Sequence, residues 1–174
     1  CNFYSFYEEI ARLIPDGGVW VEIGLAWGES FRWGLVACLN EGKTVRMVGV
    51  DAFPDAWHHN GTQMETMFHN HMAPLAGHYE TIRGGSSESA RFFDDKSVDF
   101  VFIDANHTYD FVKADVLAWL PKIKPGGIIA GHDYNAPHDV ERAVNEIFGT
   151  KVVPIPSDDF DPEHRPFYSW KVQL

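Results

Sequence analysis

The chain is poor in basic residues: 14 lysines and arginines stand against 25 acidic residues, a formal net charge of −11 over 174 residues. A field of that sign repels phosphate backbones unless basic groups cluster locally. The densest basic stretch, Lys122 to Lys124, reads only as a turn between a helix and a strand. Nucleic acid is therefore not expected as a partner. Cysteine is also scarce, with Cys1 at the start and Cys38 inside an amphipathic segment, which argues against a disulfide framework. No apolar run approaches the roughly 18 residues of a membrane span, and no signal-peptide pattern opens the sequence. No membrane association is expected, and a reducing cytoplasm is the expected compartment. Internal repeats and low-complexity tracts are missing, and so is a G-x-G-x-x-G dinucleotide fingerprint. That last absence disfavours a nicotinamide oxidoreductase.

What remains is an ordinary globular composition, 45% hydrophobic and 22% charged, in a length suited to one domain over 1–174. Short β-rich apolar runs alternate with helix-period segments, the pattern of a doubly wound, mostly parallel α/β sheet. The expected strands are Val19–Ile23, Val45–Asp51, Tyr79–Arg83, Val98–Asp104, Gly127–His132, Lys151–Ile155 and Phe167–Leu174. The expected helices are Phe3–Ile14, Glu29–Leu39, Thr62–Met72, Ser87–Phe93, Tyr109–Leu120 and Val140–Phe148. Pro15-Asp16-Gly17-Gly18 and Lys124-Pro125-Gly126-Gly127 punctuate the boundaries. The segment Phe53–His78 is long for a connection and carries five of the nine histidines. Long connections are often functional, and this one is expected to be a lid. Its histidines, His58, His59, His69, His71 and His78, read as solvated lid residues. Trp27, Phe31 and Trp33 read as packing for the following helix. Trp57 and Tyr134 are weaker candidates for shaping an acceptor pocket.

Three strand ends carry chemistry. Val21-Glu22-Ile23-Gly24-Leu25-Ala26-Trp27-Gly28-Glu29-Ser30 runs from a strand through a glycine-rich turn into a helix, and open α/β sheets bind ligands at such carboxyl ends. Gly24 and Gly28 allow close approach of the backbone to a ligand. Asp51 closes the next strand 27 positions after Gly24, placed to accept hydrogen bonds from ribose hydroxyls. Arg83-Gly84-Gly85-Ser86-Ser87-Glu88 turns from a strand into a helix and suits an adenine edge. Farther along, Asp104 and His107 follow one strand, while His132 and Asp133 follow its neighbour. Adjacent parallel strands should bring these four together.

This order of motifs, E-x-G-x-x-x-G, an acidic second-strand end, V-D-F-V-F-I-D and K-P-G-G, resembles class I S-adenosylmethionine-dependent methyltransferases from Val19 to Leu174. The resemblance implies a Rossmann-like seven-stranded sheet whose last strand is antiparallel and inserted beside the fifth. It also implies S-adenosylmethionine as cofactor, held by Glu22, Gly24, Gly28, Ser30, Asp51, Phe53, Ser86, Ser87 and Asp104. The region D-x-x-H-x-Y followed by G-G-I-I-A-G-H-D-Y is similar to cation-dependent, catechol-type O-methyltransferases and to small bacterial relatives. Asp104, His132 and Asp133 match the metal ligands of the catechol-type enzymes, and His107 matches their catalytic lysine. His107, with Asp104, is thus the expected catalytic group, a base titrating near neutrality. An imidazole among the ligands departs from the all-oxygen preference of magnesium, so manganese or another transition metal is also expected to suit the site. Those enzymes carry a helical lid before the first strand, whereas only 18 residues precede Val19 here. The expectation is methyl transfer to a hydroxyl oxygen of a small molecule. The alternatives are another enzyme class on the same scaffold, as in cephalosporin-hydroxylase-like proteins, and a non-catalytic S-adenosylmethionine-binding module.

Overall fold

Side-chain parity along the strands divides the core into two layers of different chemistry. In β1 (Val19–Ile23), Trp20 and Glu22 face one side of the sheet while Val21 and Ile23 face the other. In β4 (Val98–Ile103), Phe100 and Phe102 share the side of Trp20, and Val101 and Ile103 share that of Val21. Successive strand residues point to opposite faces, so one layer is aromatic and the other β-branched. The computed structural model describes residues 3–55, 58–135, 139–156, 158 and 168–174.

Seven strands form one sheet: β1, β2 (Arg46–Asp51), β3 (Tyr79–Arg83), β4, β5 (Ile123–Gly131), β6 (Val153–Ile155) and β7 (Ser169–Gln173), in the order β3-β2-β1-β4-β5-β7-β6. The first five are parallel, and β7 lies antiparallel between β5 and β6. This is the expected single-domain Rossmann-like architecture, with the last strand beside the fifth. The chain reverses its winding between β1 and β4, the switch point where such sheets bind ligands.

Helices α1 (Tyr4–Leu13), α2 (Glu29–Asn40) and α3 (Gly61–Met72) supply apolar faces to the aromatic layer through Phe6, Ile10, Phe31, Leu35, Phe68 and Met72. α5 (Tyr109–Trp119) and α6 (Val140–Phe148) cover the β-branched layer through Val112, Val116, Trp119 and Val144. Between β3 and β4, α4 is a single turn, Ser86–Ser89, continued by a 3₁₀ turn at Ala90–Phe92. No described helix is long and apolar enough to cross a membrane.

Two segments differ from expectation. Lys124-Pro125-Gly126-Gly127 lies within β5 rather than before it, because Ile123 already pairs with Val98. The register then shifts before Phe100 meets Ile128, as at a bulge that accommodates proline and glycine. The expected lid Phe53–His78 is, over Gly61–Met72, the crossover helix α3. Its Met64, Phe68 and Met72 are buried in the aromatic layer, and Asn60 and Gln63 close a capping box at its start. The helix expected at Thr62–Met72 is thus present and belongs to the packed framework.

Candidate active site

The carboxyl ends of β1, β2, β3 and β4 enclose a cavity of about 540 Å³. Its wall includes Gly24, Asp51, Phe53, Ser86, Ser87 and Asp104, six residues expected in the cofactor site. Gly24 is required by geometry: its φ is +85°, and a Cβ would lie 2.1 Å from the Asp104 carbonyl oxygen. Asp51 holds the turn in shape. Its Oδ2 accepts from the Leu25 and Ala26 amides at 2.7 and 3.2 Å, and its Oδ1 accepts from the Phe53 amide at 2.5 Å. An ionised carboxylate has about four acceptor sites, so roughly one is left for a ligand hydroxyl, not the two that a ribose diol could fill. Phe53 is itself strained, at φ +47°.

A second cavity of about 470 Å³ adjoins the first, and both are bounded by Gly24, Ala26, Asp104 and Ala105. Its polar floor is the predicted cluster. His107 Nε2 lies 3.3 Å from Asp104 Oδ1, and His107 Nδ1 lies 3.0 Å from Asp133 Oδ2. His132 Nδ1 lies 3.0 Å from Asp133 Oδ1 and 3.6 Å from Asp104 Oδ1. The amide of Asp104 donates to Ile23 and that of His132 to Ile103, so each side chain is launched from a continuing ladder. Asp133 adopts a left-handed φ of +55°, which is costly for a non-glycine residue.

Electrostatics in the cluster follow from this crowding. The hydrogen bond to Asp104 raises the His107 pKa above its ordinary value against the effect of burial, with the charges of Asp104 and Asp133 adding to the rise. For His132, burial is the largest influence and lowers the pKa. The Asp133 hydrogen bond and the charges of Asp104 and Asp133 together outweigh it, so the net shift is upward. Asp104, His107 and Asp133 each offer a ligand atom, all within 4.8 Å of one another, a grouping suited to a metal ion. That set contains His107 where the sequence suggested His132.

The methyltransferase-domain model of protein families matches residues 21–134. The chain belongs to that family. A Sinorhizobium fredii protein of uncharacterised function is 28% identical over 120 residues, which is 65% of this chain and 13% of that protein. The chain thus spans about an eighth of the length of the curated relative it matches. An rRNA methylase from Streptococcus thermophilus superposes with a TM-score of 0.70 at 12% identity, covering 97% of this chain and 93% of that one. A TDP-rhamnose 3′-O-methyltransferase of calicheamicin biosynthesis superposes at 0.66 with 15% identity, covering 98% and 76%. At such identities the structural likenesses establish the fold.

In this methyltransferase domain, three residues expected at the cofactor lie outside the wall of the first cavity. Gly28, at φ +87°, caps α2 and meets the ring of Phe68 rather than open space. Glu22 is fully buried, as its shared parity with Trp20 requires. It accepts from Ser30 Oγ at 2.5 Å and from the Tyr7 hydroxyl at 3.4 Å. Desolvation is the main reason its pKa rises to about 8, which favours the neutral acid. Ser30 lines the second cavity instead of the first.

Sequence reasoning missed the contribution of the N-terminal helix. Phe3, Tyr4 and Tyr7 wall the second cavity, and the Phe3 ring meets His132 edge-on at 4.8 Å. The signal was the aromatic run Phe3-Tyr4-Ser5-Phe6-Tyr7, which exceeds what one buried helix face needs. Trp27 and Trp33, expected as packing, are 38% and 36% exposed and line the same cavity, while Phe31 is buried as expected. Tyr134 packs at the β-branched layer with its hydroxyl 3.1 Å from Asn145. Trp57 lies outside the described residues.

Proposed function

We propose that this domain transfers the methyl group of S-adenosylmethionine to a hydroxyl oxygen of a small molecule, assisted by a divalent metal. The observation that carries the reading is the pair of adjoining cavities sharing Gly24, Ala26, Asp104 and Ala105. One has a carboxylate at a second-strand end; the other has a cluster of acids and imidazoles. Two reactants that must meet at one atom need such an arrangement.

The first cavity fits the cofactor in size, within the about 300–1,000 Å³ typical of small-molecule sites. It fits in chemistry too, since Asp51 keeps an acceptor site and Gly24 leaves the backbone bare. When bound, S-adenosylmethionine supplies an electrophilic methyl on a sulfonium; the sulfur–carbon bond breaks, an oxygen–carbon bond forms and sulfur keeps the electron pair. The acceptor must give up its hydroxyl proton. Asp104, His107 and Asp133 would hold the metal, which lowers the pKa of a coordinated hydroxyl. Their mixed oxygen and nitrogen donors suit manganese or another transition metal better than magnesium. With His107 engaged, His132 is the imidazole that receives the proton.

A small-molecule acceptor is favoured over nucleic acid by the net charge of −11 and by the second cavity's lining. Among the described residues, that lining holds Glu29, Asp104 and Asp133 but no lysine or arginine. The test is calorimetric titration with S-adenosylhomocysteine, followed by methyl transfer to a panel of hydroxylated small molecules with and without a strong chelator. Micromolar binding with chelator-sensitive turnover is expected. Preference for a nicotinamide dinucleotide would defeat the cofactor assignment, and turnover unaffected by chelation would defeat the metal.

A further inference from the structure

We propose that the methyl acceptor carries an ammonium group as well as its hydroxyl, and that Glu29, set among the rings of Tyr4, Trp27 and Trp33 in the second cavity, holds that cation. The inference rests on the methyl-transfer reading above and names the charge class of its acceptor.

Glu29 and Trp33 are four residues apart in α2, so they lie one turn from each other on one face of the helix. Tyr4, in the first turn of α1, closes against both. Its ring packs on the Trp33 indole with centroids 3.8 Å apart and planes tilted by 37°, and its hydroxyl donates to Glu29 Oε1 at 3.5 Å. All three side chains line the second cavity, joined by Trp27 from the turn before α2. Asp104, His107 and Asp133 stand on another wall, at the ends of β4 and β5. One wall of this 470 Å³ space therefore serves reaction, and the other serves recognition.

Charge says what is recognised. Glu29, Asp104 and Asp133 line the cavity and, among the described residues, no lysine or arginine does. A divalent ion on Asp104 and Asp133 answers two of these carboxylates and leaves Glu29. The basic residues of α1 and α2 are Arg12 and Arg32. Neither reaches the cavity wall, and Arg32 donates to the His71 carbonyl at 3.4 Å. A carboxylate bordered by indole and phenol rings stabilises an alkylammonium twice, by its own charge and by the ring quadrupoles. The same wall repels an anionic acceptor. Trp27 and Trp33 are both partly exposed, and an alkyl chain leading to the cation would cover that apolar area.

Glu29 has two other conceivable roles: complementing the dipole at the start of α2, and facing the ammonium of the cofactor instead of the acceptor's. One experiment separates all three. Tyramine, 4-ethylphenol and 4-hydroxyphenylacetate share a phenol ring and differ chiefly in charge, being positive, neutral and negative near neutral pH. Their affinities are measured by calorimetry, with S-adenosylhomocysteine and manganese present, on the wild type, Glu29→Gln and Glu29→Lys. Affinity for S-adenosylhomocysteine alone and thermal unfolding are measured on each protein. The wild type is expected to bind tyramine about tenfold or more tightly than 4-ethylphenol, and 4-hydroxyphenylacetate most weakly. Glu29→Gln should bring tyramine and 4-ethylphenol within about threefold of each other, and Glu29→Lys should place 4-hydroxyphenylacetate ahead of tyramine. A tyramine preference that survives Glu29→Gln overturns the proposal. Accompanied by weaker S-adenosylhomocysteine binding, that result assigns Glu29 to the cofactor; accompanied only by a lower unfolding temperature, it assigns Glu29 to the helix start. A wild type that binds the three phenols alike, or none of them, overturns the proposal without any variant. If the wild type does not bind S-adenosylhomocysteine, the methyl-transfer reading itself fails; if it does and shows no charge preference, only the Glu29 proposal does.

Discussion

His107 is wedged between two carboxylates, Nε2 3.3 Å from Asp104 and Nδ1 3.0 Å from Asp133. A neutral imidazole carries one N–H and one lone pair, so it can satisfy only one of them. The arrangement is favourable in two states: an imidazolium donating both ways, or an imidazole whose lone pair, like the carboxylates, faces a cation. An imidazolium cannot accept a proton. Without a metal, His107 is therefore a poor base, and this favours the role of metal-holding residue for it.

Replacing Asp133 by alanine should abolish chelator-sensitive turnover while leaving S-adenosylhomocysteine affinity within about twofold. Asp133 belongs to the second cavity and does not line the first. His107→Ala and His132→Ala should each lower turnover about a hundredfold, but for different reasons. Only His107→Ala should also weaken manganese binding measured by calorimetry. Equal loss of manganese affinity in the two variants would place both imidazoles on the metal.

Asp51→Ala should weaken S-adenosylhomocysteine binding by roughly 1.5–3 kcal/mol, the worth of hydrogen bonds to a charged acceptor. The structure adds a second effect. Asp51 anchors the amides of Leu25, Ala26 and Phe53, so the variant should also unfold at a lower temperature without ligand. Unchanged affinity with lowered stability would confine Asp51 to supporting the turn.

Much of this arrangement was legible in the sequence because strand parity and turn chemistry are local. The alternation Phe100-Val101-Phe102-Ile103 announces a strand buried on both faces, and the glycine spacing announces the turn at Gly24. The meeting of Asp104, His107, His132 and Asp133 follows from β4 and β5 being neighbours. Which imidazole closes with the carboxylates does not follow, since it depends on the left-handed backbone at Asp133. Within Phe53–His78 the helix expected at Thr62–Met72 was legible; what was not is that three buried residues, Met64, Phe68 and Met72, dock it on the sheet. The burial of Glu22 was readable from its parity with Trp20, which turns both toward the same face of the sheet.

Gly24→Ala should damage both stability and activity. The new Cβ would meet the Asp104 carbonyl at 2.1 Å, with φ at +85°, so β1 and β4 must part at their ends. A loss of about 1–3 kcal/mol in chemical denaturation is expected, and the displaced Asp104 should lower turnover beyond what the lost folded fraction explains. Gly126→Ala is the control: its φ is also positive, but nothing lies within 4 Å of the added Cβ. A similar loss of activity in both variants would remove the close approach at Gly24 as the cause.

The buried acid Glu22 should make the protein less stable as pH rises. Its folded pKa is about 8 against an ordinary 4.5, so the folded chain keeps a proton that the unfolded chain releases above about pH 4.5. Stability from this group is complete below that value, declines through the interval and is gone above about pH 8. Glu22→Gln keeps the shape and a carbonyl acceptor for Ser30 but has no proton to lose. Wild-type unfolding free energy should therefore fall, relative to the variant, by roughly 2–4 kcal/mol between pH 5 and pH 8. Asp115, also raised, to about 6, bends both curves alike and cancels in the difference. The measurement is urea denaturation of both proteins at half-unit pH steps. Parallel curves across that interval would mean that Glu22 is ionised in the folded state, paired more strongly than its contacts with Ser30 and Tyr7 suggest.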